Sequence, residues 1–257
     1  MLTLFKNAMV FNPGFFGIKD VLTGGTSILA IEDNIAPPPG MEVTLIGCSG
    51  LMLVPGLIDA HVHITGGGGE GGPASRMPEL QLSMMLEAGV TTVVGCLGTD
   101  GITRTVESVL MKVKSLRSQG VSAWMYTGAY QVPTPTITGD IAKDIALFEE
   151  IIGVGEIAIS DHRSSLPSVA ELARIAAQAR VAGMIGGKGG IVNLHMGDAR
   201  EWLQAVSWVT GNFCPPIATE MNISLKIRRN MARRVMWISP PALIRITWMR
   251  KSSRLWR

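Results

Sequence analysis

Cysteine is scarce in these 257 residues: Cys48, Cys96 and Cys214 are scattered and show no CxxC spacing. That excludes a disulfide framework and a knuckle of closely spaced zinc ligands, and the thiols read as buried or idle side chains in a reducing cytosol. Long apolar runs are missing as well. Although 47% of the residues are hydrophobic, no stretch reaches the roughly 18 uninterrupted apolar residues of a membrane span, so no membrane partner is expected. The opening Met1-Leu-Thr-Leu-Phe-Lys6 lacks the basic-then-apolar layout of a secretory signal, which makes a cytoplasmic location the expectation. Histidine is confined to four positions, His61, His63, His162 and His195.

Acid is almost absent from the end of the chain. Residues 214–257 hold 10 Lys/Arg and one carboxylate, Glu220, whereas residues 1–213 hold 13 Lys/Arg against 19 Asp/Glu. The net charge of +3 averages two unlike segments. Residues 1–53 read as a small β domain: strands around residues 8–11, 27–31 and 42–46, separated by Asn12-Pro13-Gly14 and the loop at Pro37 to Gly40. From residue 54 the rhythm becomes strand, loop, helix. Strands are predicted near residues 51–59, 90–95, 121–126, 157–160 and 190–194. Helices are predicted over 78–88, 105–116, 140–152 and 168–182, the last with Ser168 as N-cap and Gly183 just past its end. Such alternation implies a parallel sheet, doubly wound or closed as a barrel; five β/α units fit into residues 54–213, three short of a full (β/α)₈ barrel.

His61-Val-His63 directly follows the first apolar strand of that series. Residues i and i+2 of a strand share a face, so both imidazoles can converge on one ion. A bare HxH is equally two polar residues at a strand end. Glu156 precedes the fourth strand, Asp161-His162-Arg163 follows it, and His195-Met-Gly-Asp198 ends the fifth. In a barrel these strand ends surround one mouth, although Glu156 alone is a loop carboxylate and His195 alone a core histidine. The glycine run at residues 66–72 lacks GxGxxG spacing and a following Lys, which argues against a phosphate loop.

Gly56-Leu-Ile-Asp-Ala-His-Val-His-Ile-Thr-Gly-Gly-Gly-Gly-Glu-Gly-Gly-Pro73 resembles the first metal motif of the isoaspartyl dipeptidases of the amidohydrolase superfamily. Gly98-Thr-Asp100, Thr127-Gly-Ala-Tyr130, Ile159-Ser-Asp-His-Arg-Ser164 and His195-Met-Gly-Asp198 follow in the same order. The resemblance covers residues 1 to about 205. It implies an α/β fold, a partial (β/α)₈ TIM barrel with a small N-terminal β domain and its C-terminal half missing. It also implies metal-dependent hydrolysis of β-aspartyl dipeptides by two divalent ions, with zinc expected. On the same resemblance His61 and His63 bind the more buried ion and His195 the other, with a carboxylate from the fourth strand as bridge. Residues 153–160 contain no lysine to carboxylate, so Glu156 takes that place, in a segment one residue longer than the lysine form. Tyr130 is implied as the donor to a developing oxyanion, Glu70 as the binder of a free α-amino group and Arg163 as a carboxylate clamp, with Gly68 and Thr99 contacting substrate. His162 is expected to support Arg163 rather than bind metal. A dihydroorotase-like or hydantoinase-like amide hydrolase is the alternative, against which the Glu70–Arg163 pairing argues. The intact family enzyme is expected to form homo-oligomers, which is doubtful for this chain.

The family continues with a strand bearing Pro-Thr-His, and residues 214–257 show nothing of it. A functional basic, tryptophan-bearing segment for nucleic acid is one reading; a shifted reading frame is the other, and the letters test it. Codons made from the third base of one residue and the first two of the next are often forced: Met221-Asn222 forces Glu, Met231-Ala232 forces Gly, Met236-Trp237-Ile238 forces Val-Asp, and Trp248-Met249 forces Asp. With permitted choices elsewhere the shifted string is acidic and contains Pro-Thr-His and Asn-Arg-Asn. The expectation is therefore an aberrant tail from a frameshift shortly before Cys214, no nucleic-acid partner, and impaired activity, or an inactive fragment, in the chain as written.

Overall fold

The computed structural model describes residues 2–197, Val206, and the strand backbone of residues 221–225 and 246–247. The chain divides into two compact units, Met1–Leu57 and a second beginning at Ile58.

The first unit is a five-stranded sheet. β1 (Leu2–Phe11) pairs antiparallel with β2 (Phe15–Gly24), which pairs antiparallel with β3 (Ser27–Glu32). β4 (Val43–Gly47) and β5 (Met52–Leu53) run parallel to β1 on its other side. The sequence pattern does not reveal β2, because Lys19-Asp20 interrupts its apolar residues. The structure shows why a carboxylate belongs there. Register between β1 and β2 slips from Phe5↔Val21 to Ala8↔Lys19, an extra residue on β1 that makes a bulge. Asn7 sits in it at φ 58, a left-handed conformation that Asn tolerates. Asp20, 1% exposed, holds this bulge together. Its Oδ1 accepts from Asn7 N at 2.9 Å, its Oδ2 from Ile35 N at 2.8 Å, and Lys6 pairs with the same carboxylate. Leu4, Leu22 and Ile35 pack on one side of this knot, Ala8, Val10, Val21 and Cys48 on the other.

In the second unit β6 (Leu57–Val62), β7 (Val90–Gly95), β8 (Ser122–Thr127), β9 (Ile151–Ile159) and β10 (Ile191–Met196) stand side by side in chain order in one sheet. The pairs from β7 to β10 are parallel. Four helices link them: α1 (Leu82–Glu87), α2 (Val106–Ser118), α3 (Ile141–Leu147) and α4 (Val169–Gly186). Beside the separate N-terminal sheet, this parallel sheet with its linking helices is a partial (β/α) barrel. α2 shows the logic: Val106, Val109, Leu110, Val113 and Leu116 recur at helical spacing and are all buried, with Thr105 capping Ser108 N. Each such apolar side chain contributes about 1.5–3 kcal/mol when fully buried.

Several boundaries differ from the sequence expectation for identifiable reasons. The helix predicted from Pro78 starts at Leu82, because Leu80 N donates to Ile64 O and ties the preceding segment to the loop after β6. The helix predicted to reach Ile152 stops at Leu147, since Ile151, fully buried, pairs with Met125 as the start of β9. Asp140 caps α3 through Lys143 N. α4 runs through Gly183, which is a close-approach glycine rather than a stop: a Cβ there would lie 2.7 Å from Gly190 Cα. Gly187, at φ 64, ends the helix, and Ser168 and Glu171 form a reciprocal capping box at its start.

Two short strands from the basic segment, β11 (Met221–Leu225) and β12 (Ile246–Thr247), extend the sheet in parallel beyond β10, where five strands are expected. The free edge of β10 offers unpaired N–H and C=O groups to any segment able to extend, and Met-Asn-Ile-Ser-Leu alternates apolar and polar residues. The remaining residues of the predicted aberrant tail, and Asp198, lie outside the described residues. Among the described residues no helix is long and apolar enough to cross a membrane.

The knot around Asp20 generates a prediction for the first unit. Its carboxyl is lowered from the ordinary value: burial opposes this, but the Lys6 ammonium and the Ile35 and Asn7 amides outweigh it. A depressed folded-state pKa contributes stability that is present above about pH 4 and is lost as pH falls through the folded value. Asp20→Asn should therefore cost about 2 kcal/mol at pH 7 through its weakened hydrogen bonds and flatten the acid limb. Urea denaturation at pH 7 and pH 3 checks both; equal losses at the two pH values would contradict the assignment.

Candidate metal centre

β6 delivers His61 within the strand and His63 one residue beyond its end, so alternation aims both rings to one side, with centroids 5.7 Å apart. Three strands along the sheet, Glu156 lies inside β9, 1% exposed, rather than in a loop ahead of the strand. Pairing of β9 with β10 passes from Val192↔Val154 to Leu194↔Ile157, so three residues of β9 oppose two of β10. Such a bulge is the register irregularity that an additional residue in a strand produces. His195 is likewise inside β10 and 4% exposed.

The Glu156 carboxylate stands between the two groups of histidines. Its Oε2 is 3.1 Å from His61 Nε2 and 3.9 Å from His63 Nε2, while its Oε1 is 2.5 Å from His195 Nδ1. Tyr130 Oη lies 2.8 Å from His195 Nδ1, beside that carboxylate. On the other face of the imidazole, His195 Nε2 is 3.2 Å from Asp161 Oδ2. Arg163 donates to Asp161 through Nε at 2.9 Å and Nη2 at 2.7 Å, and through Nη1 to Glu70 Oε2 at 2.5 Å. Its guanidinium stacks over Tyr130, 5.3 Å from the ring centroid. Thr99 Oγ1 donates to the other Glu70 oxygen at 2.7 Å.

Gly68 belongs to the glycine loop that presents Glu70. It has φ 67, and its carbonyl and that of Gly67 accept from Arg104. Arg104 Nη1 also lies 3.5 Å from Asp100 Oδ2, which pairs with Arg76 as well. All nine predicted site residues, His61, His63, Gly68, Glu70, Thr99, Tyr130, Glu156, Arg163 and His195, are thus brought into one connected region. Arg163 is engaged by two carboxylates, Asp161 and Glu70. His162 is 82% exposed in its side chain and reaches this network only at its edge, with Nδ1 3.5 Å from Asp161 Oδ1.

Three residues to which the sequence assigned no role of their own also stand in this network. Asp161 holds Arg163 against His195. Asn193 Nδ2 lies 3.3 Å from His61 Nδ1 and orients that ring. Cys96, expected to be idle, is completely buried with Sγ 3.4 Å from His63 Nδ1. Its signal was present: it follows a buried β-branched strand just as His63 follows β6. The spacing rules for cysteine ligands could not find it, because its neighbours come from other strands.

The titrating groups of the cluster hold one another in their charged forms. Burial opposes the charged imidazoles, yet Cys96 and Glu156 raise His61 to about 11; for His63, Cys96 and the charge of Glu156 raise it to about 9. Burial would push the Cys96 thiol and the Glu156 carboxyl up, but His61 and His63 hold the first below its ordinary value. His195 and His61 hold the second well below the carboxylate range. Tyr130 is driven up, by burial and by the charge of Glu156. Glu156 Oε2 is buried with His61 Nε2 3.1 Å away, and one donor atom from each of His61, His63, Cys96 and Glu156 lies within 4.8 Å of the others. Nitrogen, sulfur and carboxylate oxygen are the donors zinc takes, so the residues present fit a divalent metal.

Comparison with known proteins agrees with this chemistry. No family model matches the chain. Dihydroorotases of Streptococcus pyogenes and Aquifex aeolicus are 29% and 31% identical over 171 and 165 residues, covering 65% and 62% of this chain but 37% and 35% of those enzymes. The crystal structure of a beta-aspartyl dipeptidase from Fervidobacterium islandicum AW-1, in complex with beta-Asp-Leu dipeptide, superposes with a TM-score of 0.82 at 48% identity. That match covers 87% of this chain and 58% of the dipeptidase. The chain thus spans less than two thirds of the length of these relatives. Across that part it is similar to the beta-aspartyl dipeptidases and, more distantly, to the dihydroorotases, all enzymes of the amidohydrolase superfamily.

Proposed function

We propose that residues 54–213 are the first five β/α units of a metal-dependent hydrolase acting on β-aspartyl dipeptides, preceded by a β domain at 1–53. The observation that carries this reading is the Glu156 carboxylate, buried between His61 and His63 on one side and His195 on the other. His61 and His63 would hold one divalent ion, His195 a second, and Glu156 both, with zinc the expected metal. Bound there, such ions would supply Lewis acidity toward a scissile carbonyl and make water a nucleophile near neutral pH.

The protein's own groups do the rest. Tyr130, its proton retained by burial beside Glu156, donates a hydrogen bond where negative charge develops on the carbonyl oxygen. Glu70 and Arg163 face each other at 2.5 Å, an ion pair that a substrate bearing both an ammonium and a carboxylate replaces charge for charge. A β-aspartyl dipeptide carries both; dihydroorotate has no ammonium to offer Glu70. Thr99 and Gly68 shape the wall beside Glu70. Asp161 keeps the guanidinium in place while its Glu70 contact exchanges, and the planar fork suits a substrate carboxylate.

We further propose that residues 214–257 are translated out of frame. Support comes from the charge break at residue 214 and from the forced codons, three of which spell acidic residues (one Glu and two Asp) where the frame as written has a single carboxylate, Glu220. Strand pairing of two short pieces of that segment rests on backbone groups and is indifferent to which side chains they carry. Resequencing should find a frame reading through Pro-Thr-His and onward for about 130–180 codons, the length that three more β/α units and a closing segment require. A confirmed frame would make the basic segment genuine.

Two biochemical outcomes test the site. Zinc should raise the unfolding temperature of the 257-residue chain and a chelator lower it, with about 2.7 kcal/mol gained at a hundredfold excess over Kd. His61→Ala should abolish the shift; an equal shift in that variant would remove the metal assignment. In the chain with its frame restored, turnover of β-Asp-Leu but not α-Asp-Leu is expected. Tyr130→Phe should lower kcat about 10²–10³-fold, and unaltered kcat would refute its role. Robust zinc-dependent turnover by the 257-residue chain itself would overturn the proposal that it is impaired.

A further inference from the structure

We propose that Cys96 is a metal ligand, the fourth protein donor beside His61, His63 and Glu156 at the buried end of the site. This rests on the metal reading above and deepens it by naming a donor that reading does not use.

The backbone places Cys96 deliberately. It is the first residue after β7, the neighbour of the strand that carries His61. Cys96 N donates to Val62 O at 3.0 Å, which locks it beside the residue between the two histidines. Its carbonyl lies 3.3 Å from His63 Nδ1 and its Sγ 3.4 Å from the same atom. Gly98 makes room for the ring: with φ 80, any Cβ there would strike the His63 imidazole, 2.8 Å from Nδ1. The thiol is 0% exposed, with Val94 and Tyr126 closing the apolar side, so its polar face is turned to the histidines.

The spacing suits a shared ion. Zinc–sulfur and zinc–nitrogen bonds of about 2.3 and 2.0–2.1 Å put the two donors about 3.5 Å apart in a tetrahedron. The observed separation of Sγ from His63 Nδ1 is 3.4 Å, and His61 Nε2 and Glu156 Oε2 are 3.1 Å apart, so an ion shared with the sulfur takes His63 through Nδ1. The alternative use of Cys96, a contact that merely positions the His63 ring through Nδ1, leaves its sulfur off the metal. A thiolate donor has two consequences. It favours zinc or cobalt over magnesium and manganese. It also completes four protein donors, which is the closed arrangement of a holding site, in contrast to the open position of a reacting one.

Cobalt(II) added to the chelator-stripped full chain tests this, with bound metal counted by elemental analysis. The expected result is a thiolate-to-cobalt charge-transfer band in the near ultraviolet that scales with bound cobalt. It should persist in Cys48→Ser and Cys214→Ser, vanish in Cys96→Ser, and accompany at least a tenfold loss of affinity in that last variant. Cobalt bound without the band, or a band that survives Cys96→Ser, overturns the proposal and leaves the histidine–carboxylate site standing. Cobalt that does not bind, or binds equally well to His61→Ala, overturns both. Should Cys96→Ser not fold, X-ray absorption at the zinc edge of the unaltered chain decides: a sulfur scatterer at about 2.3 Å supports the ligand, and a shell of nitrogen and oxygen alone refutes it.

Discussion

A carboxylate with almost no contact with water, set among three imidazoles, is the constraint around which the second unit is arranged. Isolated, a buried charge of this kind costs several kcal/mol. Glu156 is tolerated because His61 and His195 face its two oxygens. The bulge in β9 exists at the position that turns this side chain toward the other strands, and the glycines after β6 and β7 open the space that the His63 ring fills.

A second network of charge surrounds the first and connects it to the surface. Arg163 joins Asp161, Glu70, Tyr130 and His195, so the group suited to recognising a ligand is also the one that braces the tyrosine and histidine. Arg104 and Arg76 perform the corresponding task for the glycine loop, tying its carbonyls and Asp100 together. Burial opposes the Asp100 charge, but Thr103 and Arg76 outweigh it and hold the carboxyl at about 2. The loop is therefore pinned across the neutral range by a charge that does not titrate there.

The pairing of unlike segments in one chain follows from the different demands of the two kinds of interaction. The cluster around Glu156 requires named side chains at defined strand positions. The edge of β10 requires only an extended backbone, so residues of a basic segment with no counterpart in the dipeptidase resemblance can still occupy it.

What the order of residues determined is the periodic part. Buried β-branched strands alternating with capped helices are visible in Val90–Gly95, in the Val106–Leu116 stripe and in the Ser168–Glu171 cap, because each depends on neighbours a few positions away. His61 and His63 were legible for the same reason, since alternation within one strand places them together. Glu70, Tyr130, Arg163 and His195 were legible through resemblance, as members of long and unusual strings. Tertiary structure decided the remainder. Whether Glu156 stood inside a strand depended on a bulge defined against β10. Whether Asp20 interrupted or completed a strand depended on Asn7 and Ile35. Gly183 read as a stop until Gly190 was seen to pack against it, and Cys96 read as idle until β6 placed two imidazoles beside it. In each case the deciding atom belongs to a segment distant in sequence, and no local pattern of residue types carries that distance.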